Sequence, residues 1–134
     1  YAVRRRIELV ADEREAVRRG ATLLALPIYA NEGIKAIWHT SDTIWRVCGD
    51  TAADYNWYTK RAILSSVYSA TILYWLGDQS NGNEQTWSFL DRRINDVMTF
   101  EKTKASLQKN PFVQAAMWAP SQLLSRIKAP RTGV

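Results

Sequence analysis

The stretch that most constrains the fold spans residues 56–76 and reads NWYTKRAILSSVYSATILYWL. It contains neither proline nor glycine, and Gly77 follows it directly. A helix drawn through it carries apolar side chains on almost every side, which is typical of a buried helix. Such a helix would be roughly 30 Å long, about the diameter of a small domain. We therefore expect the rest of the chain to pack around it.

Four other segments show apolar residues at intervals of three and four, as expected of helices. The predicted ranges are about 3–10, 13–26, 32–48 and 84–102. Asp12 and Asn31 are predicted to cap the second and third helices at their starts, while Pro27 and Gly49 are predicted to end them. The residues predicted to face inward from these two helices are Val17, Ala21, Leu24, Ile34, Ile37, Trp38, Ser41, Ile44, Trp45 and Cys48.

A last predicted helix begins at Asn110-Pro111 and is kinked or broken at Pro120. Basic residues border its apolar face, and a basic amphipathic helix is typical of a membrane-surface binder. A tail docked on the bundle and a disordered tail are the alternatives. No segment alternates with period two, so the predicted fold class is all-α, a bundle of about six helices. We predict a helical domain over residues 1–104 and a linker with the C-terminal helix over residues 105–134.

The formal net charge is +5 at pH 7, and basic residues concentrate at the two ends of the chain. Basic ends fit an anionic partner, either nucleic acid or a lipid surface, or else form a solvated face. Cys48 and His39 are each the only residue of their kind. An intrachain disulfide is therefore impossible, and we expect neither a Cys–His metal site nor a Cys–His catalytic pair.

Motifs that carry chemistry are missing from the sequence. It has no glycine-rich phosphate loop, no zinc-type spacing and no Glu-x-x-His pair. We predict no catalytic residues, no metal ligands and no enzymatic activity. The six Trp and six Tyr residues fit either a closed aromatic core or an apolar pocket, and composition leaves both open. The apolar run after Arg61, about fourteen residues long, is too short to span a membrane.

Two motifs give the chain a resemblance to a known family. They are NWYTKRA at residues 56–62 and TWSFLDRRINDVM at residues 86–98, and shorter matches occur in order at Ala25-Leu26-Pro27 and Gly49-Asp50. On these residues the chain, over about residues 13–102, resembles the Coq-nine family, the lipid-binding accessory proteins of ubiquinone biosynthesis.

The resemblance implies a fold like the C-terminal domain of TetR regulators and a homodimer built on two late helices. The helix-turn-helix region of such a fold would lie upstream. This agrees with a helical pattern already under way at Tyr1, from which we expect the native chain to extend upstream. It further implies a non-enzymatic protein without a cofactor that binds an isoprenoid quinone precursor or a phospholipid. That protein would present the precursor to a di-iron demethoxyubiquinone hydroxylase and contact the membrane through its C-terminal helix.

The implied lipid pocket would be walled by inward-facing aromatic and aliphatic residues. The predicted lipid-binding residues are Trp38, Ile44, Trp45, Leu64, Val67, Tyr68, Thr71, Trp75, Ile94 and Met98. The predicted partner-binding residues are Trp87, Asp91 and Arg92, with core packing as the alternative role of Trp87. The predicted membrane-binding residues are Phe112, Met117, Trp118, Leu123, Leu124 and Ile127.

Two other functions fit the same fold. The chain could be the ligand-sensing domain of a TetR-type regulator, which would require a base-reading helix upstream, or a dimeric scaffold with a closed core. We do not expect this chain to bind DNA. The lack of a targeting segment and the short turn at residues 77–85 favour a bacterial cytoplasmic protein at the periphery of the inner membrane. The small residues Ala62, Ser66, Ser69 and Ala70 are predicted to mark the closest approach of a neighbouring helix.

Overall fold

The computed structural model describes residues 1–51 and 55–112, together with the single positions 115, 126 and 128. Within these residues all regular structure is helical, which confirms the all-α class. The five α-helices are α1 (Ala2–Glu8), α2 (Arg14–Leu24), α3 (Ala30–Val47), α4 (Tyr55–Gly77) and α5 (Glu84–Gln108). The predicted C-terminal helix lies largely outside the described residues.

The central helix, α4, packs against α3 and α5. The short connections place these three long helices antiparallel to their neighbours. The buried apolar residues of the described part come from α1, α4 and α5: Val3, Ile7, Val67, Trp75, Leu76 and Leu90. The expectation that α4 is buried on all sides is wrong, since Ala62, Ser66 and Leu73 on one face are exposed. Two flanking helices and a short α1 are too few to enclose a helix of this length.

The residues predicted to end α2 and α3 agree with the structure better than the residues predicted to cap them. As predicted, α2 ends before Pro27, and α3 is closed by Gly49 with a φ of 79°. The predicted caps are wrong, because α2 starts at Arg14 and α3 at Ala30, neither with a side-chain cap hydrogen bond. Helix α5 runs to Gln108 rather than ending at Lys102. The division into two domains stays a prediction.

Two arginines of α2 bind carbonyl groups at and just beyond the C-terminal end of α4. Arg14 donates to the carbonyls of Trp75 and Asp78, and its guanidinium lies 4.7 Å from the centre of the Trp75 ring. Arg18 donates to the carbonyl of Leu76 at 2.6 Å. The last carbonyls of a helix lack partners within it and carry partial negative charge, so both contacts stabilise the end of α4. Part of the positive charge near the N-terminal end of the chain therefore stabilises contacts between helices of the fold.

Asp78 joins the end of α4 to the start of α5. Its carboxylate accepts hydrogen bonds from the N–H and hydroxyl of Ser80, at 2.8 and 2.6 Å, and from those of Thr86, at 2.9 and 2.6 Å. Burial acts to raise the pKa of Asp78, but these four hydrogen bonds outweigh it and hold that pKa well below its usual range.

The variant Asp78→Asn is expected to lower the free energy of unfolding by about 1–3 kcal/mol near neutral pH, because an amide nitrogen would face donors that now bind an oxygen. A lowered pKa means that the Asp78 contribution is present above about pH 4 and is lost as the pH falls below it. Thermal unfolding of Asp78→Asn should therefore depend less on pH than that of the wild type between about pH 5 and pH 3.

Glu84→Gln is the matched control, since Glu84 is an exposed acid in the first turn of α5, the helix whose start Asp78 contacts. Its melting temperature should stay close to that of the wild type. Equal pH dependence in Asp78→Asn and the wild type would contradict the assigned role of this carboxylate.

Candidate functional site

A cavity of about 520 Å³ lies between α2, α3 and the C-terminal half of α4, with α1 contributing to its wall. Its lining is predominantly apolar. The lining residues are Arg6, Val10, Val17, Gly20, Ala21, Leu24, Ala25, Ala30, Gly33, Ile34, Ala36, Ile37, Thr40, Tyr68, Ser69, Ile72 and Leu73. The volume falls in the range of about 300–1,000 Å³ that is typical of small-ligand pockets.

Small side chains leave this space open. A Cβ atom added at Gly20 would meet no heavy atom within 4 Å, so this side of α2 faces empty volume. At Gly33 an added Cβ would lie 3.1 Å from the carbonyl oxygen of Leu24, which shows that α2 and α3 touch there. The two helices are therefore close at Gly33 and leave room beside Gly20.

The cavity opens to solvent between α3 and α4. Ile34 and Leu73 line it, yet they are 65% and 66% exposed. Large apolar side chains at a cavity mouth are typical of a passage for an apolar ligand.

Four polar side chains reach the lining. Two of them are bonded within their own helices: the Thr40 hydroxyl donates to the carbonyl of Ala36 at 3.0 Å, and the Ser69 hydroxyl donates to that of Ser65 at 2.7 Å. The other two are the Tyr68 phenol and the Arg6 guanidinium. Burial raises the pKa of Tyr68, while the charge of Arg6 acts to lower it.

Of the ten predicted lipid-binding residues, Tyr68 lines this cavity. Val67 and Trp75 belong to the buried core, with Ile44 and Leu64 packed against it. Thr71 is buried and donates to the carbonyl of Val67. Trp38 lies in a cluster of aromatic rings with Trp57 and Tyr58, and the indole N–H of Trp45 donates to the carbonyl of Lys60. The last two, Ile94 and Met98, are exposed on α5.

The sequence prediction missed most of the lining. It favoured large aromatic residues, whereas the cavity is walled by glycine, alanine and aliphatic residues of α2 and α3. The residues predicted to face inward from α2 and α3 were a better guide to the lining of the cavity. Val17, Ala21, Leu24, Ile34 and Ile37 were all expected to face inward, and all five line the cavity.

A buried ionic cluster joins α3 to the start of α4. Arg61 is 1% exposed and donates to Asp42 at 2.6 Å and to Asp50 at 3.0 Å. Arg46 pairs with Asp42 at 2.8 Å, and Lys60 pairs with Asp50 at 2.7 Å. All charges in the cluster have partners at hydrogen-bonding distance, so its role is to fix the α3–α4 geometry.

The predicted partner-binding residues lie at the start of α5. Trp87 is half-buried against the core, its indole N–H donates to the carbonyl of Gly82 at 2.8 Å, and Arg4 lies over its ring. Asp91 and Arg92 are exposed.

Of the predicted membrane-binding residues, Phe112 is 86% exposed, and the other five lie outside the described residues. The Tyr58 hydroxyl donates to the carbonyl of Lys128 at 3.3 Å, so Lys128 lies beside the start of α4.

The described residues contain no group of three or more His, Cys, Asp or Glu side chains able to hold a metal ion. No helix in the same part of the chain has the length and apolar character needed to cross a membrane.

Comparison with known proteins gives a consistent result. Residues 30–101 match the COQ9 family model. The chain is 34% identical over 120 residues to "Ubiquinone biosynthesis protein COQ9, mitochondrial" of Rattus norvegicus, covering 88% of this chain and 38% of the relative. The Homo sapiens protein of the same name is 32% identical with the same coverage. That of Drosophila melanogaster is 34% identical over 100 residues, covering 75% of this chain and 31% of the relative. The chain thus spans less than two fifths of the length of these relatives.

Proposed function

Because this chain belongs to the COQ9 family, we propose that it serves ubiquinone biosynthesis as a non-enzymatic lipid-binding accessory protein. The cavity between α2, α3 and α4 is the observation that carries this proposal. In the proposed mechanism the cavity takes up the isoprenoid tail of a quinone precursor at the membrane surface. The protein then presents the ring of the precursor to a membrane-associated di-iron hydroxylase.

Transfer of an isoprenoid tail out of a bilayer needs an apolar host, since each CH₂ group exposed to water costs about 0.8 kcal/mol. The aliphatic lining supplies such a host, and the exposed Ile34 and Leu73 at its mouth extend the apolar surface outward. A tail longer than the cavity would continue along this mouth.

Calorimetric titration of the purified chain with a quinone that carries two isoprene units tests the proposal. We expect binding at least about 100-fold tighter than that of the same ring without a tail, because apolar area provides most of the affinity. Equal affinities, or no binding of either compound, would contradict a lipid-binding function.

The relatives that match this chain are named for ubiquinone biosynthesis, which favours this function over ligand sensing by a transcriptional regulator. The open cavity in the described part of the chain argues against a scaffold with a closed core.

We place the hydroxylase on the exposed surface at the start of α5, where Asp91 and Arg92 lie beside the half-buried Trp87. Reversing both charges, with Asp91→Lys and Arg92→Glu, should weaken capture of the hydroxylase about tenfold, since like charges that face each other across an interface suppress association. Both side chains are exposed, so thermal stability should not change. Surface plasmon resonance with an immobilised hydroxylase measures the effect.

The matched control reverses another exposed pair on the same helix, with Glu101→Lys and Lys102→Glu. It should bind the hydroxylase like the wild type. The same loss in both double variants would show a general charge effect and contradict the assigned surface.

We further propose contact with an anionic membrane surface through the C-terminal segment that begins near the exposed Phe112. Co-sedimentation with vesicles containing phosphatidylglycerol tests this contact. Unchanged sedimentation of a Phe112→Ser variant would argue against a role for that side chain. The bacterial cytoplasmic location stays a prediction.

A homodimer is also part of the proposal. Ile94 and Met98 are exposed one helical turn apart on α5, and Ala62 and Ser66 leave an exposed stripe of small side chains on α4. Sedimentation velocity should give a dimer at micromolar concentration. A monomer across the whole concentration range would rule it out.

A further inference from the structure

Three consecutive arginines in α1 have different surroundings. Arg4 and Arg5 both pair with Glu8, at 2.8 and 3.6 Å. Arg6 is half-buried and lines the cavity. The described residues offer Arg6 neither a hydrogen bond nor an ion pair. Because Arg6 is only half-buried and has no such partner among these residues, its guanidinium can bind an anion or another acceptor that enters the cavity.

Tyr68 supplies a second unused donor in the same cavity. Among the described residues its hydroxyl has no hydrogen-bond partner, whereas the hydroxyls of Thr40 and Ser69 are bonded within their own helices. Because burial raises its pKa, the phenol keeps its proton at neutral pH and can donate. One wall thus presents a guanidinium and another a phenolic O–H, and both can bind an acceptor.

We propose that the cavity selects amphiphiles with an anionic head group, a carboxylate or a phosphate, which Arg6 and Tyr68 bind while the aliphatic lining takes the chain. The inference rests on the proposed lipid-binding function and adds the class of head group. A neutral quinone can still bind here, because its carbonyl accepts a hydrogen bond from either group, but it does not compensate the charge of Arg6. An anion compensates that charge and accepts charge-assisted hydrogen bonds, which are the stronger kind.

Titration calorimetry of the chain with decanoate, decyl phosphate and decanol, at a mildly alkaline pH where decanoate is ionised, tests this selectivity. We expect both anions to bind about tenfold or more tightly than the alcohol. Inorganic phosphate, which lacks a chain, separates a lipid head group from a free anion and should bind far more weakly than decyl phosphate. If it binds as tightly as decyl phosphate, the site takes a free anion and the proposal is wrong.

Variants then assign the effect to Arg6. Arg6→Gln should bind decanoate and decanol with similar affinity, while Arg5→Gln should keep the wild-type preference, because Arg5 is exposed and pairs with Glu8. Tyr68→Phe should lose part of the preference. The comparison of ligands on the wild type needs no variant and decides the proposal even if Arg6→Gln does not fold.

The outcomes separate this inference from the function on which it rests. Equal binding of decanol and the two anions would overturn the anionic preference and leave lipid binding intact. If none of the three binds, lipid binding itself fails. Retention of the preference in Arg6→Gln would overturn the role of Arg6.

Discussion

Replacing Arg61 with leucine is expected to lower the free energy of unfolding by about 3–4 kcal/mol, near the lower end of the range for breaking a buried ion pair. The substitution removes the shared partner of Asp42 and Asp50, which Arg61 contacts at 2.6 and 3.0 Å. Asp50 is almost fully buried, so its carboxylate cannot turn to water for replacement hydrogen bonds. Arg46 and Lys60 remain beside the two carboxylates, which keeps the loss below the upper end of that range.

Arg46→Leu provides the matched control. Arg46 pairs with the same Asp42 at 2.8 Å, but its side chain is 56% exposed, and exposed ion pairs contribute about 1 kcal/mol or less. Urea unfolding followed by circular dichroism compares the two variants. If Arg61→Leu costs no more than Arg46→Leu, the cluster does not hold α3 against α4 as we infer.

The variant Gly20→Phe is expected to weaken binding of the isoprenoid quinone about 100-fold or more while the protein stays folded. Gly20 lines the cavity, and an added Cβ there would meet no heavy atom within 4 Å. The phenyl ring can therefore occupy the space of the tail without displacing the backbone. Replacing glycine within a helix also removes a conformational cost, so we expect little loss of stability.

Gly20→Ala separates filling of the cavity from the change in helix propensity. It should raise the free energy of unfolding by up to about 1 kcal/mol and leave quinone binding close to that of the wild type. Titration calorimetry and thermal unfolding measure both variants. Unchanged binding by a folded Gly20→Phe protein would place the ligand outside this cavity.

The sequence predicted the helices well because periodicity and helix-breaking residues depend on local chemistry. The bounds of α4, predicted at 56–76, differ by one residue at each end from Tyr55–Gly77. Capping residues were predicted less well than helix-ending residues. Glu15, for example, pairs with Arg18 and Arg19 of its own helix rather than joining a capping box with Asp12.

The candidate site was harder to predict, because a cavity forms where the side chains are too small to fill the space between helices. The prediction chose large aromatic residues such as Trp75 and Trp45 as lipid-binding residues. The structure places Trp75 in the core, and Trp45 donates to the carbonyl of Lys60. The open volume beside Gly20 depends on how α2 and α3 diverge from their contact at Gly33. That divergence is a tertiary property with no local sequence signal.

The NWYTKRA motif pointed correctly to the family but not to the roles of its residues. Those roles follow from contacts with residues that are distant in the sequence. Arg61 reaches Asp42 and Asp50, which lie 19 and 11 residues away in the chain, and its guanidinium lies 4.1 Å from the centre of the Trp57 ring. The most specific motif thus contributes to the α3–α4 joint rather than to the cavity wall.

Organic extraction of the purified protein, followed by mass spectrometry, tests the central claim that this cavity holds an isoprenoid lipid. The account predicts about one isoprenoid quinone or related lipid for each wild-type chain, and a strongly reduced amount in an equal quantity of folded Gly20→Phe protein. Wild-type protein without bound lipid, or equal amounts in both proteins, would contradict it.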